Sequence, residues 1–181
     1  MEPSDAPRSE LQVLVIGPMG EKELPEGKTV QSTEHITNIC KAVEKCSTSL
    51  EGIKLVPISA EQIKLGGISE FVLLNIDRAD VAIADISFRG ANVFYELAVL
   101  HALGRPVVLL DYSEQAGKPP FYVKDERVHG VRDFGVEELT TVLRGVLSDE
   151  RSIQKLKFNS SNAISNFYSV PLADASAAAG L

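Results

Sequence analysis

Short apolar runs alternate along this chain with longer segments whose apolar residues recur every three or four positions. Residues 11–16, 53–58, 81–86 and 107–110 form the runs, each rich in Val, Ile or Leu and too short for a helix. Runs of that length suit strands buried on both faces of a parallel sheet. Residues 127–132 read as a short fifth strand. The first helical segment starts at Ser32 or Thr33 and ends at Cys46, with Ile36, Ile39, Cys40 and Val43 on its buried face. The second carries Ile68, Phe71, Val72, Leu74 and Ile76, and Gly66 and Gly67 break its start. The third follows Asn92 with a stripe of Val93, Leu97, Leu100 and Leu103; the fourth is marked by Val136, Leu139, Val142, Leu143 and Val146.

The punctuation between these segments agrees with their periods. Asn92 is a good N-cap type, Gly104 stops the third helix, and Pro106 opens the next strand. Ser59 with Gln62 has the spacing of a capping box. Residues 21–28, charged and holding Pro25 and Gly27, read as a flexible loop. Residues 1–10 form a polar leader, and 148–168 carry a weaker helical pattern. Residues 173–181 are alanine-rich, either disordered or a helix that orders against a protein partner. One domain over residues 11–147 with a C-terminal extension at 148–181 is therefore expected. Strands alternating with helices imply an α/β fold, a doubly wound parallel sheet of five strands in the flavodoxin-like order 2-1-3-4-5. That order brings Gly17 to Gly20, Glu61, Asp85 to Asn92, and Asp111 to Ser113 to one crevice beyond the strand ends.

Composition narrows the function classes. Hydrophobic residues make up 44 % of the 181 and charged residues 24 %, as in ordinary soluble proteins. A net charge of −7 argues against a phosphate-backbone binder, so no nucleic-acid partner is expected, although a local basic pocket stays open. Cys40 and Cys46 match neither zinc-ligand spacing nor a disulfide framework. Reduced thiols in a cytoplasmic protein, and no metal, are the expectation. No apolar run is long enough to cross a membrane, and the polar N-terminus lacks a signal pattern.

Polar residues gather at the joints between elements. Gly17, Pro18, Met19 and Gly20 follow the first strand as a turn, without the lysine of a Walker loop or the spaced glycines of a dinucleotide fingerprint. Their glycines allow a phosphate or sugar to approach the backbone. Glu61 lies where the second strand turns into its helix. Asp85 closes the third strand, either as an acid of the site or as the cap of the turn that holds Ser87 and Arg89. Arg89 is either a solvated loop residue or a cation that favours a phosphorylated ligand. Asn92 is either N-cap or hydrogen-bond partner to a sugar hydroxyl. Glu96 falls about one turn into the helix, where the dipole favours a carboxylate. His35 and His129 have no acid or serine context that would make a triad, and His101 reads as a packing residue. Ser87 lacks the Gly-x-Ser-x-Gly elbow, which argues against a serine hydrolase.

Four segments carry a resemblance. Gly17-Pro18-Met19-Gly20 after the first strand resembles the opening of the nucleoside 2-deoxyribosyltransferase-like superfamily. So do Ala79-Asp80 through Asp85, Asn92-Val93-Phe94-Tyr95-Glu96-Leu97 and His101-Ala102-Leu103-Gly104-Arg105-Pro106. The Asn-Val-Phe-Tyr-Glu-Leu segment is also similar to prokaryotic TIR-like domains. Both groups share a flavodoxin-like core and N-glycosidic chemistry, and the resemblance covers residues 11–134. It implies that Glu96 attacks the anomeric carbon or engages the ribose of NAD as the base leaves. Asp85 and Asn92 are expected as its companions, with Gly17 to Gly20, Glu61, Ser87 and Arg89 binding substrate at the same strand-end edge. The transferases' extra aspartate before the nucleophile is absent here, where the chain reads Phe88-Arg89-Gly90-Ala91. The expected protein is thus an N-glycosidase of a nucleotide or NAD(P), homo-oligomeric, with no cofactor beyond that substrate. In bacterial TIR-like proteins such activity serves antiviral defence. The alternative expectation is a non-catalytic nucleotide-binding sensor or assembly module.

Overall fold

A computed structural model describes residues 10–23, 27, 29–48, 50, 53–59, 68–112, 119–124 and 126–147. Glu61, Gln62, Gly66, Gly67, Ser113 and residues 1–9 and 148–181 lie outside the described residues. In chain order the elements are β1 (Glu10–Ile16), β2 (Glu21–Glu23), β3 (Thr29–Gln31), α1 (Ser32–Ser47), β4 (Lys54–Ser59), α2 (Ile68–Arg78) and β5 (Val81–Asp85). There follow α3 (Ala91–Ala102), β6 (Val107–Tyr112), a 3-10 turn (Phe121–Val123), β7 (Val128–Val131) and α4 (Val136–Val146).

Five strands make one parallel sheet in the order β4-β1-β5-β6-β7. The protein is α/β, consistent with a flavodoxin-like fold. Side-chain alternation along each strand divides the apolar residues between two layers. Val13, Val15, Val81, Ile83 and Leu110 pack with Ile36, Ile39 and Val43 of α1 and Leu139 and Leu143 of α4. Leu14, Ile16, Ala82, Ala84 and Leu109 pack with Val72 and Ile76 of α2 and Val93, Leu97 and Leu100 of α3. β5, at the centre, is buried at all five positions, which explains its unbroken apolar run. Asp80 anchors its entry: Gln12 N–H donates to Asp80 Oδ2 (3.0 Å) and Asp80 N–H donates to Gln12 O (2.9 Å).

Two local expectations are corrected. The segment after Gly20 is not wholly loop, because β2 and β3 pair as an antiparallel hairpin with Glu21 opposite Gln31. Three-residue strands as polar as Glu-Lys-Glu carry no hydrophobic period. Their pairing rests instead on the hairpin's closure onto α1, where Ser32 N–H (3.1 Å) and Oγ (2.5 Å) both donate to Gly20 O. The N-cap of α3 is Gly90, not Asn92, which is the second helical residue and is exposed. Arg89 causes the early start. It takes a left-handed backbone (φ 52°), and its N–H (3.1 Å) and Nη1 (2.7 Å) both donate to Ile86 O, closing the turn.

Candidate functional site

Parallel strands all end at one edge, and the turns beyond them meet there. Gly17 follows β1 and is buried under α1: a Cβ on Gly17 would stand 3.2 Å from Ile36 Cγ1 and 3.5 Å from Asp85 Cβ. A side chain there would press on Ile36 by a few tenths of an ångström and meet Asp85 at ordinary contact distance. Pro18 is buried, Met19 is exposed, and Gly20 adopts φ 80° where the chain swings into the hairpin. A Cβ on Gly90 would lie 3.9 Å from Pro18 Cβ and 3.0 Å from Asn92 Oδ1. The first turn and the start of α3 are therefore neighbours, as the strand ends predict.

Asp85 is wholly buried and its two oxygens have different tasks. Ser87 N–H donates to Oδ1 (2.9 Å), the cap of the turn. Oδ2 faces His35 Nδ1 at 3.3 Å. Ser87 is buried too, and its Oγ accepts the Tyr112 N–H (2.9 Å), joining the turn to the end of β6. His35, in the first turn of α1, lies with its ring 3.8 Å from that of Phe134 at 6°, and 5.7 Å from that of Phe88 at 28°. Asn38 Nδ2, one turn on, donates to Phe134 O (3.0 Å), which ties α1 to the turn before α4.

The reading of His35 as a histidine without acid context is overturned. Its acid is Asp85, fifty positions away in sequence and invisible to any local spacing rule. The available signal was topological: a helix start and a strand end expected at one edge of the sheet.

Arg89 does not stand free in the crevice. Its Nη2 donates to Asp111 Oδ2 (2.8 Å), at the end of β6. Asp111 is wholly buried and its Oδ1 has no hydrogen-bond partner among the described residues. Burial raises its carboxyl above the usual carboxylate range, with Asp85 adding to that and Arg89 opposing it. Asp111 and Arg89 thus hold each other at the mouth of the β5 and β6 turns.

Glu96 stands apart. It is in the second turn of α3 rather than the first, five residues past Ala91 and about 7.5 Å along the axis. It shares a helical stripe with Asn92, Val93 and Leu100, at i−4, i−3 and i+4. Asn92 is exposed at the edge, whereas Val93 and Leu100 are fully buried. Glu96 between them is partly buried and makes no hydrogen bond or ion pair to a described residue. Burial alone pushes its carboxyl up to about 7. At neutral pH it is divided between acid and carboxylate, poised for either charge stabilisation or proton transfer.

His101 is buried at the end of α3, with Nε2 3.2 Å from Glu126 Oε2, a packing position away from the edge. No group of three or more His, Cys, Asp or Glu suited to a metal occurs among the described residues. Neither Cys40 nor Cys46 forms a disulfide among the described residues. No described helix is long and apolar enough to cross a membrane. No protein-family model matches the chain, and no curated protein matches it.

Proposed function

We propose that the protein is an N-glycosidase acting on a nucleotide or NAD(P), with Glu96 as its essential carboxylate. The observation that carries this reading is a partly buried glutamate with no neutralising partner among the described residues, one turn below an exposed asparagine on a helix that starts at the strand-end edge. Breaking a base–sugar bond develops positive charge at the anomeric carbon. A poorly solvated carboxylate stabilises that charge more than a hydrated one does, because less solvent screens it. Asn92 supplies amide groups at the mouth of the same stripe for a sugar hydroxyl. The Gly17–Gly20 turn offers close backbone approach beside it, and the resemblance of both motifs to the deoxyribosyltransferase-like and TIR-like groups supports the same chemistry.

The test is chromatographic. Wild type and Glu96→Gln are incubated at high concentration with NAD, NADP and a panel of ribo- and deoxynucleotides, and free base is measured. Release by wild type alone is the expected outcome. Absence of release, with both proteins thermally stabilised by one of the compounds, would identify a nucleotide-binding sensor instead. Because the ionised form of Glu96 is the one that stabilises a cation, kcat/KM should rise with pH through an ionisation near 7.

A further inference from the structure

We infer that His35, oriented by Asp85, is the proton-accepting group at the strand-end edge, and that Asp85 acts through it as a positioning residue. This rests on the glycosidase reading above and assigns the group that activates water as the acceptor. Asp85 is wholly buried, and its Oδ1 is committed to the Ser87 N–H. Its remaining oxygen faces His35 Nδ1 at 3.3 Å. A buried carboxylate in that position favours the tautomer with its proton on Nδ1 and leaves a lone pair on Nε2. Phe134 and Phe88 flank the ring and restrict its rotation. The His35 side chain is nevertheless 12 % exposed, and Nε2 has no hydrogen-bond partner among the described residues. The arrangement favours one tautomer, stacks the ring and leaves one nitrogen over.

α1 and α3 flank opposite faces of the sheet and both begin at the strand-end edge, so a ligand lying across that edge is reached from both sides. In the step assigned, a water oxygen bonds to the anomeric carbon as the base leaves with the electron pair of the C–N bond. The water proton passes to His35 Nε2, and the buried Asp85 carboxylate offsets the imidazolium charge. His35 then returns the proton to a purine or pyrimidine leaving as an anion, or to solvent when the leaving group is neutral nicotinamide.

The test compares full-length wild type, Glu96→Gln, His35→Asn and Asp85→Asn for base release, with thermal melting of each. It is joined by the imidazole nitrogen NMR shifts of wild type and Asp85→Asn. His35→Asn offers an amide to Asp85 but has no Nε2. Its kcat should fall about 100-fold or more with KM changed less than about threefold. Asp85→Asn should fall comparably while its His35 proton moves from Nδ1 to Nε2, a shift that mere loss of packing would not produce. A wild-type His35 protonated on Nε2 alone, or a His35→Asn variant at full kcat, overturns the assignment while the Glu96 result stands. Wild type that releases no base overturns the glycosidase reading itself, and this assignment with it.

Discussion

The two carboxylates that flank this edge of the sheet, Asp85 toward α1 and Glu96 on α3, are treated in opposite ways by the fold. Asp85 is the more deeply buried, yet both its oxygens have partners, one a backbone N–H and one an imidazole. Glu96 is less buried and has no partner among the described residues, and burial alone raises its carboxyl to about 7. No hydrogen bond or cation there opposes desolvation. A charge placed without a partner costs folding free energy.

The largest expected effect lies on the Glu96 side. Glu96→Gln should lower base release by about 10³-fold or more, measured by chromatography under saturating substrate. The same substitution should leave the fold stronger at high pH. The folded state holds the Glu96 proton up to about 7, whereas the ordinary value is 4.5. Between those values the folded state binds more protons than the unfolded one, so wild-type stability falls as pH rises. Glu96→Gln should accordingly gain on the order of 1–3 kcal/mol over wild type at pH 8 in urea denaturation, and nothing at pH 4. A variant that is less stable at both pH values would show that Glu96 has a structural partner.

The Asp85 side should respond the other way. Asp85→Ala leaves the Ser87 N–H and His35 Nδ1 without their acceptor and should cost about 2–3 kcal/mol at neutral pH by the same denaturation. Equal loss in Asp85→Asn would mean that the charge, not the turn cap, is what matters. Smaller effects sharpen the geometry between the two sides. Arg89 holds a left-handed backbone and pairs with Asp111, so Arg89→Ala and Arg89→Gly lose the same pair. Glycine adopts φ 52° without the Cβ penalty and should be about 1 kcal/mol more stable than alanine there. Asn92→Ala should change stability by less than about 0.5 kcal/mol, since Asn92 is exposed and does not cap the helix. Its effect on KM is then a reading of ligand contact alone.

Local pattern made much of this protein legible before its structure. The apolar runs at β1, β4, β5 and β6 are long enough and β-branched enough to admit one interpretation. The periods of α1, α3 and α4 point to the residues that are in fact buried, such as Ile36 and Ile39, Val93 and Leu97, and Leu139 and Leu143. Gly104 ends α3 with φ 62° as its position suggested. The short polar hairpin β2–β3 was not legible, because neither strand has an apolar face and its closure depends on Ser32 reaching Gly20 O. The start of α3 was misjudged because residue type favours Asn92 as cap, while the left-handed Arg89 places Gly90 there.

For the candidate site, the chain alone determined which polar residues stand at strand ends and helix starts, since that follows from local periods and a parallel sheet. It also singled out Glu96 by type and position. Which of these residues satisfy one another was decided only by the tertiary structure. His35 joined Asp85 across fifty positions, Arg89 was taken up by Asp111 across twenty-two, and Glu96 was left without a partner among the described residues. Hydrogen-bond partnership and desolvation depend on distances of a few ångströms between segments remote in sequence, and no spacing rule along one chain contains them.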